Sequence, residues 1–264
     1  ACLVGSEMCI RDRSQTVHPF DPIFISIIVL ITESSSAEST QSKTAIGICI
    51  SSLGILDKIQ YPTGRNNNNV YVLKIKFIFY YLNYYRDILW LDDTCIIKPD
   101  TCDLFNYINN NHIVAFNEGV LPSMKSSKYD KKFIQDKMNF SINDLNYINS
   151  GLVLYNEAIQ KYLSDEFINK YKELFKSAYP QQAYLNYMIQ FYKIPCGFLE
   201  EKFNKSFILP DSKRNMAVKD ISKECICNSE TMIYHITGYY ENRYDILKHI
   251  CSLISSDSKI DLET

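Results

Sequence analysis

Short apolar segments alternate along this chain with segments of helical periodicity, and this alternation constrains the fold more than any other feature. Such segments are typical of strands buried on both faces, because neither face presents a polar row to water. They are IFISIIVLI at 23–31, ILWL at 88–91, HIVAF at 112–116, LVLY at 152–155 and MIYHI at 232–236. The sequence therefore predicts an α/β domain with a central, mainly parallel sheet flanked by helices.

Helices are predicted where apolar residues recur three and four positions apart. One such stripe runs from Tyr71 to Tyr85, and another follows Ser164, a suitable N-cap. The predicted helices are 71–85, 101–108 with Asp100 as N-cap, 164–175, 181–192 and 241–254. YPTGRNNNN at 61–69 predicts a loop.

The stretch 119–146 is polar and irregular, and we expect an ordered excursion over the surface. Its lysines form either an acceptor-side loop or an ordinary solvated surface; they are Lys125, Lys128, Lys131 and Lys132.

Composition excludes several classes of protein. Of 264 residues, 46% are hydrophobic and 22% charged, which excludes wholesale disorder. A net charge of −2 argues against a protein that binds nucleic acid by bulk electrostatics, so no nucleic-acid partner is expected. The most apolar run, 23–31, would reach about 14 Å as a helix, against roughly 30 Å of bilayer hydrocarbon. No membrane span is therefore expected.

The first residues are not expected to be native. LVGSEMCIRDR at 3–13 resembles a translated sequencing adapter, so residues 1–13 are excluded and 14–264 is treated as a single domain. Seven of the nine cysteines remain, and no two of them form a CxxC pair. This pattern favours reduced thiols, and we expect a cytoplasmic location.

Two carboxylates stand where a predicted buried strand stops. Asp92 and Asp93 directly follow ILWL. Ligands of open α/β sheets bind beyond the carboxyl ends of strands, and paired carboxylates there can hold a hard divalent cation. By itself the pair is weak evidence for a site, since two acids here could simply cap the next turn.

At these residues the chain resembles glycosyltransferases of the glycogenin-like kind (family 8 and its relatives). DILWLDDTCIIKPDTCDLF at 87–105 is similar to their metal-binding segment. Further segments match in the same order and span roughly 70 to 255. They are Lys74 on the preceding helix, YINSGLVLYN at 147–156, PQQAYLN at 180–186, KFN at 202–204 and YHITG at 234–238.

The resemblance implies a single GT-A-type, Rossmann-like domain. It implies transfer of a sugar from a nucleotide-sugar, most simply a UDP-sugar, to an unidentified glycan, protein or lipid acceptor, with retention of anomeric configuration. The implied cofactor is Mn²⁺ or Mg²⁺, with metal ligands among Asp92, Asp93, Thr94 and His235. The implied catalytic residues are Asp92, Asp93 and Gln182. The implied donor-binding residues are Lys74, Asn149, Gly151, Gln181 and Gly238.

The chain departs from the family pattern at two positions. The metal motif of the family is Asp-x-Asp, whereas here Thr94 occupies the second acidic position, and Gln181 replaces an acid near the donor sugar. Two alternatives stay open, and the departures favour the first of them. One is a non-catalytic nucleotide- or sugar-binding module on the same fold. The other is a phosphatase of the haloacid-dehalogenase type. ILWLDDTCII also resembles the strand and the Asp-x-Asp-x-Thr motif of those enzymes.

Overall fold

A computed structural model describes residues 28–32, 68–92, 94–98, 101–121, 126–206, 230–235 and 247–253. The predictions for residues 1–13, for most of the loop at 61–69, and for Asp93, Asp100 and Gly238 lie outside the described residues.

Among the described residues, eight strands form two sheets. They are β1 (Ile28–Thr32), β2 (Asp87–Leu91), β3 (Cys95–Ile97), β4 (Ile113–Asn117), β5 (Ile148–Asn156), β6 (Cys196–Leu199), β7 (Lys205–Ser206) and β8 (Ile233–His235). The larger sheet has the order β1-β2-β5-β4-β6, and the smaller has the order β3-β8-β7. Each apolar segment predicted as a strand contributes one of these strands in whole or in part.

The prediction of a mainly parallel sheet is wrong. In the larger sheet β1/β2, β2/β5 and β4/β5 are antiparallel, and only β4/β6 is parallel. After β4 the chain re-enters the sheet at the same end, so that β5 runs antiparallel to β4 and Asn117 pairs with Ile148. Alternation of strands and helices along the sequence fixes their order but not the direction in which each strand enters the sheet. The mixed α/β class is nevertheless correct.

In the described part of the chain four helices pack around the sheets, and residues 247–253 are also helical. They are α1 (Asn68–Tyr81), α2 (Ser126–Met138), α3 (Asp165–Lys170) and α4 (Pro180–Phe191). The Ser164 hydroxyl accepts a hydrogen bond from the N–H of Phe167, as expected of an N-cap. The helix predicted at 101–108 is a short 3-10 helix, Leu104–Tyr107, capped by Asp103.

Helix α2 contradicts the expectation that 119–146 is irregular. Its sequence SSKYDKKFIQDKM is rich in charge and offers little of an apolar stripe. A buried carboxylate anchors it instead: Asp130, which is fully buried, accepts hydrogen bonds from the Tyr147 hydroxyl and from Ser177 Oγ. Polar tertiary contacts thus stabilise a helix that apolar periodicity cannot reveal.

Burial of Asp130 makes folding stability depend on pH. Burial raises the pKa of Asp130 from 3.8 to about 6, although the hydrogen bonds from Ser177 and Tyr147 oppose the shift. Between these values the folded state binds more protons than the unfolded state, so the free energy of unfolding falls as pH rises from about 4 to about 6. The loss should approach about 3 kcal/mol.

Asp130→Asn should remove this pH dependence, because the amide cannot ionise. Urea unfolding at several pH values measures it, and Asp136→Asn on the exposed face of the same helix is the matched control. An unchanged pH profile in Asp130→Asn would show that another group is responsible.

The larger sheet separates two cores. On one side Trp90 packs with α1 and α4, whose buried residues include Ile75, Ile78 and Tyr184. On the other side Leu89 and Leu91 pack with Phe203 and Ile233. Because side chains of a strand alternate between faces, residue 92 continues the row of Ile88 and Trp90. The structure thereby directs Asp92 towards α1.

In the part of the chain that the structure describes, no helix combines the length and apolar character needed to cross a membrane.

Candidate functional site

Asp92 lies at the carboxyl end of β2 and is held from three directions. Its Oδ1 accepts hydrogen bonds from Lys74 Nζ at 2.6 Å and from Trp90 Nε1 at 3.0 Å. Its backbone N–H donates to the carbonyl oxygen of Gly151 at 2.7 Å, which prolongs the β2/β5 pairing. A carboxylate whose position is fixed this firmly is suited to hold a ligand in one place.

The electrostatic surroundings keep Asp92 ionised. Burial acts to raise its pKa, but the charges of Lys74 and His235 and the hydrogen bonds from Lys74 and Trp90 outweigh burial, so the pKa is lowered. Gly151 contacts both residues: it pairs with the backbone of Asp92, and the imidazole of His235 packs against its Cα.

Lys74 extends from α1 to this strand end. Its ammonium lies 5.2 Å from the centroid of the Trp90 ring while it pairs with Asp92, and its side chain is 12% exposed. A ligand phosphate bound here would therefore interact with the same Lys74 ammonium that pairs with the Asp92 carboxylate.

His235 ends β8, where Cys95 of β3 and Ser206 of β7 flank it in the smaller sheet. Its side chain is buried, and its Nδ1 lies 2.9 Å from Asn204 Oδ1. The larger sheet thus supplies Asp92 and the smaller sheet supplies His235, so the candidate site lies where the two sheets meet.

Gly151 connects the two sheets because it leaves room for the imidazole. A Cβ atom at this position would lie 2.0 Å from Cε1 and 2.6 Å from Nε2 of His235. The group that approaches Gly151 is thus a side chain of this protein. The carbonyl oxygen of Gly151 also accepts a hydrogen bond from the N–H of Asp92, and the N–H of Gly151 donates to Asn149 Oδ1 at 2.9 Å.

Asn149 and Gln182 both donate to a buried carboxylate that the sequence analysis missed. Glu118 Oε2 accepts from Asn149 Nδ2 at 2.8 Å and from Gln182 Nε2 at 3.1 Å. Burial raises the pKa of Glu118, and these two hydrogen bonds partly offset the rise. Gln182 Oε1 in turn accepts from the N–H of Ser150 at 3.1 Å. Both amides are therefore fixed in orientation by groups of the protein itself.

Gln181 and Tyr155 carry buried polar atoms without a hydrogen-bond partner among the described residues. These atoms are Gln181 Nε2 and Tyr155 Oη. Burial raises the pKa of Tyr155, the nearby amide of Gln181 opposes the rise, and the negative charge of Asp92 adds to it. Buried polar groups of this kind are normally satisfied, either by each other after a small movement or by a ligand that offers oxygen atoms.

The remaining predicted site residues are only partly placed. Thr94 is buried just beyond β2, whereas Asp93 and Gly238 lie outside the described residues. Within the described ranges, no group of three or more His, Cys, Asp and Glu side chains is arranged to hold a metal ion. Among the predicted metal ligands whose side chains are described, Asp92 could contribute a carboxylate and His235 an imidazole.

Two further residues of the site could have been found from the sequence. Glu118 stands two residues after the buried segment 112–116, so a search for acids just beyond predicted strands, as applied to Asp92, also finds Glu118. Asn204 lies in the KFN segment at 202–204 that carried part of the family resemblance. Its role depends on a contact with residue 235, and no local pattern reveals that contact.

Comparisons with known proteins give matches among solved structures alone: no family model matches, and no curated protein is a significant match. Mouse xyloside xylosyltransferase 1 is similar at 14% identity and a TM-score of 0.42, over 69% of this chain and 70% of that chain. A glycosyltransferase involved in glycosylation of the major capsid of PBCV-1 is similar at 13% identity and a TM-score of 0.43, over 73% and 81%.

The galactosyltransferase LgtC is similar at 15% identity and a TM-score of 0.39, over 71% of this chain and 67% of that chain. The match to the bifunctional glycosyltransferase WbbM spans 36% of that longer chain. All of these are glycosyltransferases, and nothing in the matches singles out the glycogenin-like family. Similarity at this level does not assign a function to any individual residue of this chain.

Proposed function

We propose that this chain is a glycosyltransferase that uses a nucleotide-sugar donor, with the diphosphate bound between the ends of β2 and β8. The convergence of Asp92, Lys74 and His235 at this place supports the proposal most strongly. A carboxylate and an imidazole suit a divalent cation, and an ammonium suits a phosphate. The sequence resemblance adds UDP as the nucleotide, Mn²⁺ or Mg²⁺ as the cation, and retention of configuration.

The residues present fit a bound cation in part. Asp92 and His235 would hold it, with Asp93 or Thr94 as a further ligand, and an imidazole ligand favours Mn²⁺ over Mg²⁺. When bound, the cation would offset the negative charge that develops on the departing diphosphate. Lys74 would contribute a second positive charge to the same phosphate oxygens.

The donor sugar would lie beside Gln181 and Tyr155. Their buried Nε2 and hydroxyl groups make no hydrogen bond of normal geometry among the described residues, so sugar hydroxyls could supply such bonds. Asn149, Gln182 and Gly151 would shape this wall of the site. Gln181 can hydrogen-bond a sugar without adding charge, which distinguishes this chain from the family pattern.

A non-catalytic binding module is the second candidate. It is favoured by the contacts of Asp92, whose Oδ1 already serves Lys74 and Trp90, and by Thr94 in place of an acid. Such a module would bind UDP but would not release it from a UDP-sugar. Release of UDP from a panel of UDP-sugars, with Mn²⁺ and with EDTA, separates the two candidates.

Replacing Lys74 by methionine should reduce UDP release by about 10- to 100-fold. The change keeps most of the side-chain volume but removes a charged hydrogen bond of about 1.5–3 kcal/mol from the diphosphate. Lys76→Met is the matched control, because Lys76 lies on the same helix and pairs with the exposed Asp165. Equal rates for the two variants would exclude Lys74 from the donor site.

A further inference from the structure

A chain of hydrogen bonds that begins at a backbone N–H group fixes the orientation of Asn149. The N–H of Gly151 donates to Asn149 Oδ1 at 2.9 Å. Because a backbone N–H can only donate, the atom of Asn149 that faces it must be the carbonyl oxygen. Asn149 Nδ2 also faces Glu118 Oε2 at 2.8 Å, which a flipped amide could not satisfy. Two independent contacts therefore assign this amide.

The orientation of Asn149 determines that of Asn204. Asn204 is fully buried, and its Nδ2 lies 3.2 Å from Asn149 Oδ1. Because Asn149 presents an acceptor, Asn204 must present its NH₂ group to that neighbour. Its Oδ1 is then the atom 2.9 Å from Nδ1 of His235. An amide oxygen only accepts, so Nδ1 must be the donor.

We propose that Asn204 is a positioning residue that holds His235 in the tautomer with the proton on Nδ1. The direction of the chain is set by the Gly151 N–H and the Glu118 carboxylate, neither of which touches the imidazole through a hydrogen bond. In the neutral ring the lone pair then lies on Nε2, the nitrogen that can coordinate a cation. This use of Nε2 rests on the proposed function, whereas the tautomer does not.

The tautomer can be measured without any ligand. The full chain is labelled with ¹⁵N-histidine and its imidazole nitrogens are recorded in EDTA at about pH 8.5, about two units above the ordinary imidazole pKa. The chain has 4 histidines, and His235→Gln identifies the signals of interest by their loss. We expect a protonated Nδ1 and an unprotonated Nε2 for His235. A protonated Nε2 in the wild-type protein would overturn the proposal.

Two variants test whether Asn204 is responsible. Asn204→Leu removes the acceptor at similar volume and should give a mixture of tautomers, whereas Asn204→Asp keeps an acceptor and should retain the proton on Nδ1. An Asn204→Leu spectrum identical to that of the wild type would contradict the role of Asn204. If that variant does not fold, the wild-type spectrum still decides whether the proton lies on Nδ1.

The consequence for metal binding has a separate readout. Loss of a partner that orients a metal-binding histidine lowers metal affinity by about 10- to 100-fold, so Asn204→Leu should weaken Mn²⁺ binding by that factor, measured by calorimetry. Failure of the wild type to bind Mn²⁺, with the proton on Nδ1, would contradict the proposed function but support the tautomer. Mn²⁺ binding with the proton on Nε2 would support the proposed function but contradict the tautomer.

Discussion

Replacing Asp92 by asparagine should weaken Mn²⁺-dependent binding of UDP by at least about 100-fold, which corresponds to about 2.8 kcal/mol. The amide has the same shape and can still accept hydrogen bonds from Lys74 and Trp90. It lacks the negative charge that a divalent cation requires from this ligand. Calorimetric titration of UDP with and without Mn²⁺ measures the effect.

Asp87→Asn is the matched control for this substitution. Asp87 is a buried carboxylate at the opposite end of β2, where it pairs with Arg86 and accepts a hydrogen bond from Asn156. Its loss can lower stability but should leave the Kd for UDP unchanged, because it lies far from the candidate site. If both variants weaken UDP binding equally, the effect comes from the strand as a whole and Asp92 has no special role.

Replacing Gly151 by alanine should both destabilise the protein and displace His235. The new Cβ would lie 2.0 Å from the imidazole, and the buried ring has little room to retreat. Overpacking of this kind costs about 1–3 kcal/mol, and displacement of His235 should also abolish Mn²⁺ binding. Urea unfolding and Mn²⁺ titration measure the two effects.

The double variant Gly151→Ala/His235→Ala isolates the cause. If the clash with the ring is responsible, removing the ring should recover most of the lost stability, which appears as a coupling energy in a double-mutant cycle. Gly197→Ala in β6 is a milder comparison, because its Cβ would meet the end of the Asn111 side chain at 2.7 Å, where that side chain can move. Additive losses in the cycle would contradict the contact between Gly151 and His235.

The central strands could be predicted because burial on both faces leaves a signal in the sequence itself. ILWL and LVLY lie within β2 and β5, and the stripe from Tyr71 matches most of α1. Strand direction could not be predicted, since it depends on where each connection returns to the sheet. Helix α2 was missed because Asp130, Tyr147 and Ser177 anchor it through hydrogen bonds between distant residues.

The candidate site could be predicted only in part, for a similar reason. Asp92 follows a buried strand, a local pattern, whereas His235 was singled out through the family resemblance. The chain of contacts from Glu118 through Asn149 and Asn204 to His235 joins four separate segments. Contacts of this kind form only once the two sheets meet, so no spacing within one segment could indicate them.

The thermal stability of the wild-type chain with UDP, in Mn²⁺, in Mg²⁺ and in EDTA, tests the proposed site most directly. A ligand at about 100 times its Kd should stabilise the folded protein by about 2.7 kcal/mol. We predict a rise in Tm with UDP and Mn²⁺, a smaller rise with Mg²⁺, and loss of the Mn²⁺-dependent part in EDTA. An unchanged Tm with UDP under all three conditions would contradict a diphosphate site at Asp92 and His235.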